Sequence, residues 1–201
     1  MPYSLENRLV VAVSSRALFD LSSENNLFDK DGDEAAYMKH QRDHERDPLT
    51  PGVAFPFVQR LLRLNALASH AEDPVVEVVL LSRNDANSGL RIMNSIKHHG
   101  LGDITRAVFT RGRDPYEYLT PLRAHLFLSA HAADVRSAVA KGFPAGLVLG
   151  ALPGDPPGSL DDELRIAFDF DGVLADDGAE RVYQAVSYTH LRAHETKANL
   201  V

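Results

Sequence analysis

Short unbroken apolar runs alternate along this chain with stretches in which apolar residues recur three or four positions apart, and each change of rhythm predicts a change of element. Arg8 to Val13 (RLVVAV) predicts a buried strand, and Ser14 to Asp20 its exit turn. Asp33 to Arg46 is polar with helical character. Thr50, Pro51 and Gly52 introduce a stronger helix from Val53 to Leu67, with Phe57, Leu61, Leu62 and Leu64 at roughly helical spacing. Pro74 precedes a strand over Val75 to Leu81; a helix over Ser88 to His99 carries Leu90, Met93 and Ile96 and stops at Gly100. Strands at Ala107 to Thr110 and Ala124 to Leu128, a helix at Ala132 to Lys141 and a strand at Ala145 to Leu149 complete the series. Strand and helix alternate throughout, which predicts an α/β fold built on a doubly wound parallel sheet.

The rhythm breaks at Pro153 to Ser159 (PGDPPGS), so residues 153–163 read as a linker between an N-terminal α/β region, 1–152, and a segment 164–186. That segment opens on LRIAFDFDGVLADD (164–177), the most informative string in the chain. Leu164, Ile166 and Phe168 predict a buried strand; Asp169 and Asp171 follow at alternating spacing and lean to one side of it, and Gly172 permits a sharp turn. Two carboxylates so placed at the carboxyl edge of a parallel sheet face one pocket, where one is positioned to attack and the other to move a proton. An acidic turn after a core strand is the plainer explanation of an isolated DxD; the full pattern hhhDxDGVhhDD is far more specific.

Composition narrows the class further. Of 201 residues, 44% are apolar, enough for a real core, and no apolar run approaches membrane-spanning length. The start MPYSLENRLVV lacks the basic opening and cleavage site of a signal peptide, so a cytoplasmic location without membrane association is expected. The absence of cysteine excludes disulfides, thiolate catalysis and Cys-ligated zinc. With 21 basic against 28 acidic residues the formal charge is −7, which argues against binding a nucleic acid polymer while leaving room for a local phosphate pocket. Oligomeric state is not legible.

The string around Asp169 resembles motif I of the haloacid dehalogenase (HAD) superfamily. The resemblance implies that Asp169 is the nucleophile and forms an aspartyl phosphate, that Asp171 protonates the leaving alkoxide and then activates water, and that Mg²⁺ sits on Asp169 and the Asp171 carbonyl. VAVSSRALFD (11–20), DPLTPGVAFPFVQRLLRLNAL (47–67), VEVVLLSRNDANSGLRIMNSIKHHGL (76–101), ITRAVFTRG (104–112), HLFLSAHAADVRSAVAKG (125–142) and LRIAFDFDGVLADDGAERVYQ (164–184) together resemble the cytosolic 5′-nucleotidase type I family. The implied fold is HAD-like and Rossmann-like with an incomplete second half; the implied reaction is Mg²⁺-dependent hydrolysis of nucleoside 5′-monophosphates. Alternatives are a HAD phosphatase acting on another small phosphate ester, or a noncatalytic nucleotide-binding fragment. The acidic motif departs from the family's usual FDGDAVLFSDE but keeps both carboxylates, and Thr120 stands where a Lys is expected after Tyr118 and Leu119.

LLSRN (80–84) has the form of HAD motif II, which makes Ser82 the implied phosphate ligand, with Arg83 and Asn84 as further phosphate or nucleotide contacts. LFLSAH (126–131) falls where an acidic metal-binding motif belongs, yet holds Ser129; VSSRALFD imitates motif I with Val13 and Ser15 in place of its aspartates. Either the N-terminal half is a degenerate duplicate that helps bind substrate, or the motifs are permuted and Ser82 serves the Asp169 pocket directly; we favour the second slightly.

The remaining features read as structural. DKDGDE (29–34) has its glycine at the wrong position for a calcium loop. His40 and His44, four apart on a helix, lack a third ligand; Arg106, Arg111 and Arg113 cluster near a strand end and could bind phosphate, with surface charge the plainer reading; Phe55 and Phe57 could stack on a base, but in an apolar helical stripe read as core. Beyond Gln184 the periodicity collapses, and SYTHLRAHET resembles a translated sequencing-adapter tail, so residues 187–201 are expected to be non-native and disordered, with native sequence stopping near Gln184 to Val186.

Overall fold

A computed structural model describes residues 5–21, 34–70, 73–150, 163–169, 178 and 181–183. The chain divides into two compact units, Met1–Glu163 and Leu164–Val201.

In the first unit the expected alternation holds, because each apolar run is long enough for a strand and too short for a helix. The order is β1 (Leu9–Val13), α1 (Ser15–Leu18), α2 (Glu34–Asp43), α3 (Phe55–Arg63), β2 (Val76–Ser82), α4 (Ala86–His98), β3 (Arg106–Phe109), β4 (Leu126–Ser129), α5 (Ala132–Ala140) and β5 (Ala145–Leu147). A 3₁₀ turn extends α3 over Leu64–Leu67, and another covers Pro115–Tyr118. The five strands form one parallel sheet in the order β3-β2-β1-β4-β5. All seven residues of β2 are buried, as expected of a strand with a neighbour on each edge and cover on both faces. In register, Ala12 stands beside Val79 on one side and Phe127 on the other. That face continues through Leu81 and packs Phe127, Leu119 and Ala138 with Tyr116, Leu122 and Phe143. Alternation sends Val13 and Leu80 to the opposite face, where α1, α3 and α4 lie.

Two helices differ from expectation in instructive ways. In α4 the buried stripe is Gly89, Ile92, Ser95 and Ile96, while Leu90 is 48% exposed. The helix begins two residues earlier than its apolar spacing predicts because the Asp85 carboxylate accepts from the N–H groups of Asn87 and Ser88, at 2.7 and 2.9 Å. The exit turn after β1 is one helical turn, α1, with Ser14 Oγ accepting from Ala17 N–H at 3.3 Å. Phe55 is core as expected, its ring 6.2 Å from that of Phe19 and 5.4 Å from His99. His99 Nε2 lies 2.8 Å from the Leu49 carbonyl. At the amino edge of the sheet, buried Glu77 lies between Arg8 and Arg106, at 3.9 and 3.6 Å, and Arg8 also donates to Asp73 at 2.8 Å.

In the second unit the buried strand expected at Leu164 to Phe168 is not formed. Residues 163–169 have no ladder, and Ile166 and Phe168 are 50% and 63% exposed. Alternating apolar residues become a strand only when neighbouring strands satisfy their N–H and C=O groups, and no element of this unit does so among the described residues. Gly178 and Arg181–Tyr183 are helical. Asp171, the linker expected at 153–163 except Glu163, and the tail expected at 187–201 lie outside the described residues.

Candidate functional site

The sheet order creates the site. After β1 the chain adds β2 and β3 along one edge, then crosses to place β4 and β5 along the other, so the strand order reverses beside β1. Connections diverge at such a point and leave a crevice outside the carboxyl ends of the central strands. A cavity of about 430 Å³ opens there.

Its floor is made of hydroxyl groups. Ser82, the last residue of β2 and 5% exposed, places its Oγ 2.6 Å from Ser15 Oγ of α1. Both hydroxyls reach Asn84 Oδ1, at 2.5 Å from Ser82 and 2.8 Å from Ser15. The Asn84 carbonyl is thus saturated, which turns its NH₂ group toward other acceptors. Ser129, fully buried at the end of β4, accepts from His131 N–H at 3.1 Å, and Ser14 accepts from Ala130 N–H at 3.4 Å. Tyr37 of α2 reaches the same cavity and accepts from Ser88 Oγ at 3.4 Å.

Its wall is an ion-pair network. Arg83 donates through Nε to Asp134 at 2.7 Å, through Nη1 to the Gly112 carbonyl at 2.6 Å and through Nη2 to Asp114. Asp134, only 4% exposed, also lies 3.2 Å from His131 Nδ1. The hydrogen bond to Asp134 is the main cause that raises the Arg83 guanidinium above its already high ordinary pKa; burial opposes it and Asp114 adds to it. This network ties the ends of β2 and β3 to the start of α5.

The pocket therefore brings together three residues singled out from the sequence, Ser82, Arg83 and Asn84. Asp169 belongs to the second unit, where its side chain is exposed. Sequence reasoning set Arg111 aside as surface charge and passed over His131 and Asp134; all three line the cavity. A glycine after Arg111 at a strand exit was the available signal for the first. Asp134 carried none, since a carboxylate in the first turn of a helix is ordinary.

The carboxylates lining this cavity do not fit a divalent cation. Asp134 is committed to Arg83 and His131, and Asp85 to the start of α4. Among the described residues no three His, Asp or Glu side chains are placed to share a metal.

A family model described as 5′-nucleotidase matches residues 1–200. The chain belongs to the 5′-nucleotidase family. Cytosolic 5′-nucleotidase 1B of Homo sapiens is 34% identical over 182 residues, covering 89% of this chain. The chain spans 29% of the length of that relative. Membership agrees with the α/β parallel sheet, consistent with a HAD-like, Rossmann-type fold. Among the described residues no helix is long and apolar enough to cross a membrane.

Proposed function

We propose that this protein is a phosphoric monoester hydrolase that converts nucleoside 5′-monophosphates to nucleoside and phosphate in the cytoplasm. The observation that carries the reading is the family match along residues 1–200, joined to a relative named as a cytosolic 5′-nucleotidase. A cavity lined by polar side chains at the switch point of the sheet supports it, since that is where open α/β folds accept small ligands.

In this reading Asp169 attacks phosphorus and forms an aspartyl phosphate, while Asp171 protonates the departing ribose oxygen. Asp171 then takes a proton from water, which opens the acyl phosphate and returns Asp169 to its starting state. Asp169 and Asp171 would be the residues to hold Mg²⁺, which would supply the counter-charge that lets a carboxylate approach a dianionic ester. Ser82, Arg83 and Asn84 are the phosphate and substrate contacts of this reading within the first unit's own cavity.

The test is phosphate release from AMP by the intact protein with Mg²⁺. Asp169→Asn preserves size and removes the attacking charge, so turnover should fall by several orders of magnitude. Wild-type turnover in that variant would refute the mechanism.

A further inference from the structure

Helix α2 is attached to the protein differently from its neighbours. It packs on α4, yet of residues 37–48 Gln41 alone is buried, and Gln41 is polar. The neighbouring helices bury apolar stripes, Phe55, Val58, Leu61 and Leu62 in α3 and Ile92 and Ile96 in α4. A row of polar links, stepping along both helices about one turn at a time, joins α2 and its exit to α4. Ser88 Oγ donates to Tyr37 Oη at 3.4 Å, Arg91 Nη1 to Gln41 Oε1 at 3.5 Å, Asn94 Nδ2 to the Glu45 carbonyl at 3.1 Å and Arg91 Nε to the Asp47 carbonyl at 3.0 Å. The row ends at Leu49, which is buried and donates its N–H to Ser95 Oγ at 2.9 Å.

This grip contains a weak point. Gln41 is 2% exposed, and among the described residues its Nε2 finds no acceptor. Exchanging the amide oxygen and nitrogen would not cure this, because the NH₂ group would then face the Arg91 guanidinium, donor to donor. A buried donor left unmade raises the energy of the packed state, whereas in water the same amide is solvated. The links at Tyr37 and Gln41 are also at the outer limit of hydrogen-bond length. Segments that bury little apolar surface and lean on polar contacts open at lower free energy than the core they cover.

Release matters because of where α2 lies. Tyr37 and Ser88 both line the cavity, and Ser88 is 2% exposed. Lifting α2 from α4 takes Tyr37 out of the cavity wall and uncovers Ser88. We propose that residues 34–48 are a strap that closes one side of the cavity and releases from α4 as a unit, turning at Asp47 and Pro48 ahead of the fixed Leu49, with Gln41 setting how readily it lets go. The strap acts whatever ligand the cavity takes, so it does not rest on the hydrolytic reading.

The chain has no cysteine, so Ser88→Cys places a single thiol in the closed wall of the intact protein. Its rate of reaction with an excess of a small aromatic disulfide, under conditions where reclosing outpaces reaction, reports release. That rate should depend on urea far more weakly than global unfolding does, because release exposes little surface. Adding Gln41→Met, close in size and free of the orphaned donor, should slow labelling about five- to a hundredfold, the range for relieving one buried unmade hydrogen bond. Asn94→Ala cuts the link to the Glu45 carbonyl and should speed labelling about two- to tenfold. Lys39→Ala removes only an exposed ion pair with Asp43 and should leave the rate within about twofold. Amide hydrogen exchange over residues 37–48 in proteins that keep Ser88 should shift in the same directions, which decides the matter even where the thiol variant folds poorly. Labelling with the urea dependence of global unfolding, or labelling and exchange that ignore both Gln41→Met and Asn94→Ala, would overturn the proposal. Wild-type turnover in Asp169→Asn would sink the proposed mechanism and leave the strap standing.

Discussion

Replacing Gly89 by alanine sets two effects of known sign against each other. Gly89 lies on the buried face of α4, in the interior of the helix, where Gly→Ala ordinarily stabilises by about 1 kcal/mol through reduced backbone entropy and better helix propensity. Here the added Cβ would lie 2.6, 2.8 and 2.9 Å from three carbons of the Phe109 ring. Ordinary contact between carbons begins near about 3.5 Å, so the ring would have to retreat by close to ~1 Å. Overpacking of that kind costs about 1–3 kcal/mol. Phe109 ends β3, an edge strand, and is half-buried, so part of the strain can be relieved toward solvent. The net expectation is a destabilisation of about 1 kcal/mol. The sign should invert in a Phe109→Ala background, where the same substitution meets open space and should stabilise by about 1 kcal/mol, a coupling of about 2 kcal/mol. The chain has no tryptophan, so urea unfolding followed by far-ultraviolet circular dichroism, fitted with one common m value, is the suitable assay. Equal effects of Gly89→Ala in both backgrounds, or stabilisation in the wild type, would refute the reasoning.

Gly52→Ala should cost more, about 2 kcal/mol or above, because its Cβ would meet backbone atoms of Ala17 and Phe19 at 2.9 Å, and backbone cannot swing aside as a ring can; a urea midpoint at or above that of Gly89→Ala would contradict this. Asp134→Asn should lower stability by about 1–3 kcal/mol, less than the loss of a fully buried pair, because Arg83 is 34% exposed and keeps Asp114; an unchanged urea midpoint would show that the network does not hold the pocket wall.

The elements of the first unit were readable from the chain because their cause is local. RLVVAV and VEVVLLS are apolar runs bounded by polar turns, and runs of that length bury as strands. Helix faces were less readable: spacing alone favoured Leu90 and Met93, whereas Gly89 and Ile92 face the sheet, since only the sheet selects among competing stripes. Capping by Asp85 moved a boundary that apolar rhythm cannot see. Ser82 and Asn84 were singled out from a five-residue string, but that Ser15 joins them required β1 and β2 to lie side by side, pairing residues 67 positions apart.

By itself the sequence determined the element order, the α/β class, the absence of cysteine chemistry, the resemblance to cytosolic 5′-nucleotidases and a short list of polar residues at strand exits. Those properties follow from neighbours along the chain, within reach of one strand or one helical turn. The tertiary structure alone decided that β4 returns to the far side of β1, that the strand exits therefore open a crevice, and that Asp134 occupies Arg83 while Arg111 lines the cavity. It also left Ile166 and Phe168 exposed, because an apolar pattern supplies only half of a strand and the other half is a hydrogen-bonded neighbour. Burial and charge pairing are properties of residues distant in sequence and adjacent in space, which no local rhythm encodes.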